Sequence, residues 1–186
     1  MYSSDLDRQT LQTYIVYVHI LSDQCRSILI NVRGHPLTNV EPLFEELKLE
    51  QITLKNRIAM APMARNYAPD FIPNETNAAY YARRAEHVGL VISEASFIDH
   101  PVSSGHKGQP AIFGGALDGY KKVITAVHAV GGKMFCQLWH MGPERPDGGI
   151  PNPELPAVSP SGLRDTDKPH GVALSLSLIH ISEPTN

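Results

Sequence analysis

The 186-residue sequence predicts an α/β fold built on parallel strands, and three observations carry that prediction. Apolar runs of strand length alternate with segments of helical period in the order strand, helix, strand, helix, strand. Such alternation argues for parallel strands joined by right-handed crossovers, in a closed barrel or a doubly wound sheet. The turn after the first strand, APMARNYAPD from Ala61, contains no glycine, whereas a doubly wound nucleotide-binding sheet has a glycine-rich turn there. The fold class is therefore α/β, and a parallel barrel is the better reading.

The elements come in chain order. RIAMAPM, from Arg57, is a strand that ends at Pro62, where a ladder donor is lost. In DFIPNETNAAYYARRAEH, Asn74 caps a helix that carries Ala78, Tyr81, Ala82 and Ala85. GLVISEAS, from Gly89, is a second buried strand, followed by a loop rich in Gly, Ser, Pro and His. In LDGYKKVITAVHAVGG, residues Tyr120, Val123, Ile124, Val127 and Val130 recur at helical spacing, with Lys121, Lys122 and Thr125 opposite. Gly131 and Gly132 suit the left-handed stop of that helix.

KMFCQLWH is the third strand, and its alternation is the informative part. One set, Met134, Cys136 and Leu138, is apolar and suits helix packing. The other, Phe135, Gln137 and Trp139, becomes polar and aromatic toward the carboxyl end, where parallel barrels place their active sites. A buried amide without partners costs about 1–3 kcal/mol. A flat heteroaromatic ligand would satisfy Gln137; so would neighbouring backbone, with Trp139 as plain core.

Composition excludes several classes. With 42% apolar residues, 19% charged residues and a net charge of −3, the chain reads as a soluble globular protein with no nucleic-acid partner. No run approaches the roughly 18 apolar residues of a membrane span. YIVYVHIL, from Tyr14, is too short and follows Asp5 and Asp7 rather than a basic segment, so no membrane or signal-peptide role is expected. Two distant cysteines, Cys25 and Cys136, provide neither a disulfide framework nor zinc spacing, and a cytoplasmic location is expected. His100 and His106 sit in a loop of mobile composition without a third ligand, so no metal is assigned. Asn74–Thr76 is read as a helix cap rather than a glycosylation acceptor, RPDGG from Arg145 as turn chemistry, and YARRAEH as a solvated helix face.

Four segments together resemble the old yellow enzyme family of flavin-dependent ene-reductases: LFEELKLEQITLKNRIAMAPMAR, AAYYARRAEHVGLVISEAS, YKKVITAVHAVGGKMFCQLWHMG and LPAVSPSGL. They occur in the family's order and spacing from about Pro42 to Leu163. The resemblance implies an incomplete (β/α)8 barrel, represented by its first three strands and two helices, with FMN as cofactor, NAD(P)H as reductant and a small-molecule activated alkene as substrate. It implies that Pro62, Met63 and Ala64 pass beside the isoalloxazine, that Ala95 lies close to the ring, that the Gln137 amide bonds its pyrimidine edge, and that Trp139 shapes the substrate pocket. Two departures stand out. Ala64 replaces the usual threonine or cysteine, and Pro143 replaces the arginine that commonly follows the H-x-G motif. No catalytic residue is assigned, because the family's His/Asn or His/His pair, tyrosine and phosphate-binding residues come after the third strand. Two alternatives stand beside this reading: a flavin barrel related to dienoyl-CoA reductase, and a catalytically inert fragment.

The resemblance also divides the chain. Residues 1–36 are expected to be an extraneous extension, residues 37–175 the N-terminal part of an FMN-binding barrel, and residues 176–186 a read-through, since LSLIHISEPT resembles a translated sequencing adapter. A complete barrel typically needs about 250 residues. This polypeptide alone is therefore expected to bind FMN poorly and to reduce no enone; a homo-oligomer of the full-length parent is left open.

Overall fold

The computed structural model describes residues 40–174; the expected extension to Pro36 and the tail from Leu176 lie outside the described residues. The chain enters through a short antiparallel pair, β1 (Leu47–Lys48) and β2 (Thr53–Leu54). Next come β3 (Ala59–Met60), helix α1 (Glu75–Ala85), β4 (Leu90–Phe97), helix α2 (Ala116–Ala129) and β5 (Met134–Trp139). The expected order is observed: β3, β4 and β5 lie side by side in one sheet, and both pairings are parallel. Four two- or three-residue strands complete the described chain: β6 (Val158–Ser159), β7 (Leu163–Asp165), β8 (Lys168–Pro169) and β9 (Val172–Ala173). β6 pairs with β9 in parallel and β7 with β8 antiparallel.

Local chemistry sets the boundaries. The Asn74 side chain accepts the N–H groups of Thr76 and Asn77, while the Asn77 side chain accepts the Asn74 N–H, a reciprocal box that starts α1. Lys55 Nζ reaches the Ala85 and Glu86 carbonyls at 2.5 and 2.7 Å and closes its far end. Gly131, at φ 70°, makes the left-handed stop of α2. Gly119 lets α2 rest on the chain entering α1: a β-carbon there would run into the Pro73 carbonyl oxygen.

The core lies between the sheet and the two helices. Met60, Ala78, Tyr81, Ala85, Val91, Tyr120, Val123 and Val127 form one buried cluster. Phe97, Ala111 and Ala116 form a second, where Phe97 meets Phe71 and Phe113 edge-on at 5.3 and 5.7 Å. Three expectations need correction. Ile124 is 40% exposed, because the buried stripe of α2 runs through Ala116, Gly119, Tyr120, Val123 and Val127. On β5 only Met134 packs against the core, while Cys136 and Leu138 are exposed on an edge strand of the described sheet. The loop after β4 is tightly packed, with Ser103 and Ser104 fully buried and Gln109 nearly so.

Candidate functional site

The parallel register sets Ala95 across from Gln137 and Phe97 across from Trp139. A bulge between Ile92 and Ala95 precedes this pairing. Ser96 Oγ bonds the Tyr120 hydroxyl of α2, and Ser93 Oγ lies 3.5 Å from Cys136 Sγ. Ser93, Ser96 and Cys136 therefore face the helices, and alternation turns Ala95 and Gln137 to the opposite face. Gln137 is half-buried, and its backbone N–H donates to Ser93 Oγ at 3.1 Å. Its side-chain amide has no hydrogen-bond partner among the described residues. Trp139 is 37% exposed and Phe135 53% exposed on the same face. A small alanine beside an uncommitted amide can hold the donor–acceptor edge of a flat heteroaromatic ring.

The loop after β3 borders this arrangement. Pro62 and Met63 are half-buried, Met63 packs against the first core cluster, and Ala64 is exposed. Glu94 of β4 anchors the backbone just past Ala64: its Oε2 accepts the N–H of Arg65 at 2.7 Å and of Asn66 at 3.1 Å. Asn66 turns into the left-handed region at φ 55°, and Ala68 N–H donates to the Gly108 carbonyl at 2.9 Å. Glu94 is 1% exposed; burial pushes its pKa up, against the pull of the Arg65 and Asn66 N–H groups and the Tyr81 hydroxyl. Sequence reasoning passed over Glu94. The signal was an acid inside the apolar run LVISEAS, since a buried carboxylate must find donors.

Two histidines far apart in the sequence, His100 and His140, meet in the structure. His140 Nδ1 accepts the Gly142 N–H at 2.9 Å, which leaves Nε2 as the donor to His100 Nδ1, 3.0 Å away. Burial, then the neighbouring His100, lowers the His140 pKa. His106 takes no part, and among the described residues no group of three or more metal-ligating side chains exists. Arg145 corrects the reading of RPDGG as turn chemistry alone. It is 1% exposed and donates to the carbonyls of Ser104, Leu155, Asn152 and Gly149, holding the segment after β5. Among the described residues no helix is long and apolar enough to cross a membrane.

Comparison with known proteins agrees with this architecture. The sequence profile of the NADH:flavin oxidoreductase / NADH oxidase family matches residues 42–181. 12-Oxophytodienoate reductase 7 of Oryza sativa subsp. japonica is 39% identical over 129 residues, 69% of this chain and 31% of its own length. Morphinone reductase in complex with tetrahydroNAD superposes with a TM-score of 0.66 at 33% identity, covering 74% of this chain and 42% of that one. The old yellow enzyme homologue from Zymomonas mobilis superposes at 0.63 with 37% identity, covering 75% and 41%. The chain spans about a third of the length of the curated relatives it matches. These solved neighbours are (β/α)8 barrels, and the three parallel strands with their two helices take that fold. With the profile covering most of its length, the chain belongs to the NADH:flavin oxidoreductase / NADH oxidase family.

Proposed function

We propose that this chain is the N-terminal part of an FMN-dependent NAD(P)H oxidoreductase that reduces activated alkenes. The observation that carries the reading is the in-register pair of Ala95 and Gln137, a small residue beside an uncommitted amide on the face away from the helices. The residues present fit a flavin ring: Gln137 offers both a donor and an acceptor, and Ala95 leaves room for close approach. The family match and the likeness to a reductase bound to tetrahydroNAD support FMN and a nicotinamide reductant.

FMN, when bound, supplies hydride transfer from the nicotinamide to an alkene conjugated with a carbonyl or nitro group. The protein's part is binding and orientation. Gln137 would hold the pyrimidine edge, Pro62, Met63 and Ala64 would border the ring, and Trp139 would wall the substrate space. Glu94 keeps the Pro62–Ala64 segment in place through the N–H groups of Arg65 and Asn66.

An uninterrupted reading frame, expressed and purified, should be yellow and should oxidise NAD(P)H in the presence of 2-cyclohexenone. Gln137→Leu should weaken FMN binding by about tenfold, the loss expected for one or two buried hydrogen bonds. The 186-residue chain alone should bind FMN weakly and leave the enone unreduced; a yellow, active preparation would remove the fragment reading. A full-length protein that ignores both FMN and enones removes the functional one.

A further inference from the structure

A cavity of about 240 Å³ opens between the loop after β3 and one flank of α1, lined among others by Arg65, Tyr67, Thr76, Asn77, Tyr80 and Arg83. None of its lining residues belongs to β4 or β5, so it is separate from the Ala95–Gln137 face.

The cavity is rich in donors and poor in acceptors. The Arg65 guanidinium lies 4.7 Å from the Tyr80 ring centre and 5.7 Å from that of Tyr67, and Arg84 covers Tyr80 at 3.5 Å. Among the described residues none of Arg65, Arg83 and Arg84 forms an ion pair. The Tyr80 hydroxyl is buried and has no hydrogen-bond partner among the described residues. Asn77 Oδ1 is already occupied by the Asn74 N–H. Guanidinium groups only donate, so a ligand that completes this lining must bring acceptors and negative charge. The space exceeds the roughly 150 Å³ that accommodates a benzene ring. Tyr67, 61% exposed, offers an aromatic wall.

We propose that this cavity is a second binding site, for an aromatic carboxylate, with the carboxylate between Arg65 and Arg83 and the ring along Tyr67. The site is independent of the flavin face and does not rest on the proposed reductase activity.

Calorimetric titration of the 186-residue chain with sodium benzoate, and with benzamide as neutral isostere, tests it. Saturable benzoate binding is expected, with benzamide silent. Arg83→Gln should weaken benzoate by about tenfold, the loss of a charge-assisted hydrogen bond. Arg83 is exposed, so the substitution spares the core. Tyr67→Ala, also on an exposed ring, should weaken binding as well. Gln137→Leu should leave benzoate affinity unchanged. The proposal is overturned if the unaltered chain shows no saturable binding, if benzamide binds as well as benzoate, if Arg83→Gln and Tyr67→Ala both bind normally, or if Gln137→Leu abolishes binding and so moves benzoate to the flavin face.

Discussion

Tyr81 and Glu94 bond each other twice: the Tyr81 hydroxyl accepts the Glu94 backbone N–H at 2.8 Å and donates to the carboxylate at 3.4 Å. The other carboxylate oxygen takes the N–H groups of Arg65 and Asn66. One buried acid thus ties α1, β4 and the loop after β3 into a unit. The same surroundings push the Tyr81 phenol well above its ordinary range, chiefly through burial and the Glu94 charge.

Glu94 should make stability fall with rising pH. Burial raises its folded pKa above the ordinary 4.5, so the folded state holds the proton more tightly than the unfolded chain. That contribution is present below pH 4.5 and is lost as pH rises through the folded pKa. Urea unfolding across this window should show the decline, and Glu94→Gln, which does not titrate, should flatten it. An unchanged slope in the variant would assign the dependence elsewhere. Glu94→Leu, which strands two N–H groups, should cost at least about 1–3 kcal/mol.

The long periodic elements were legible in the sequence, and the chemistry joining them was not. Asn74 as a cap, Gly131 as a stop and the order of three strands and two helices derive from local patterns. The alternation of β5 also separated Gln137 from Cys136 correctly. The pairs β1/β2, β6/β9 and β7/β8 went unread because two or three residues carry no period. Glu94 meets N–H groups 28 and 29 positions away, His100 meets His140 across 40, and Arg145 meets Ser104 across 41. Packing creates these contacts, and no spacing announces them.

Arg145 should be costly to replace. Its guanidinium donates to Ser104 and Leu155 at 2.8 and 2.7 Å, to Asn152 at 2.7 Å and to Gly149, while its own carbonyl is held by His170 at 2.8 Å. Arg145→Met leaves the Ser104, Leu155 and Gly149 carbonyls without donors, Asn152 keeping only the Leu155 N–H at 3.1 Å, and should destabilise by about 3 kcal/mol or more in chemical denaturation. Arg145→Lys should recover little, since a single ammonium cannot span the fork of acceptors. Limited proteolysis should open residues 146–155 first. Equal protease resistance in Arg145→Met would show the segment to be held by other contacts.

Ala64 should tune the proposed flavin. It is exposed, so a larger side chain meets no steric barrier, yet it has no hydrogen-bond donor to offer. In the flavin-loaded full-length protein, Ala64→Thr should raise the midpoint potential by on the order of 20–30 mV, the equivalent of one net hydrogen bond in a two-electron couple. Equal potentials in a redox titration would separate residue 64 from the ring.

His140 should act as a local pH-sensitive latch. Its pKa is lowered below the ordinary 6.5 by burial and by His100, so the fold favours the neutral ring. Below pH 6.5 the unfolded chain binds this proton more readily, and the stability contributed at higher pH is lost as pH falls through the folded pKa. Protonation would also set Nδ1–H against the Gly142 N–H that it now accepts at 2.9 Å, releasing the turn after β5. NMR titration of the ring should therefore move together with faster exchange of the Gly142 amide. His100→Asn removes the neighbouring imidazole and should shift the His140 midpoint upward toward 6.5. A midpoint that stays put would assign the depression to burial alone.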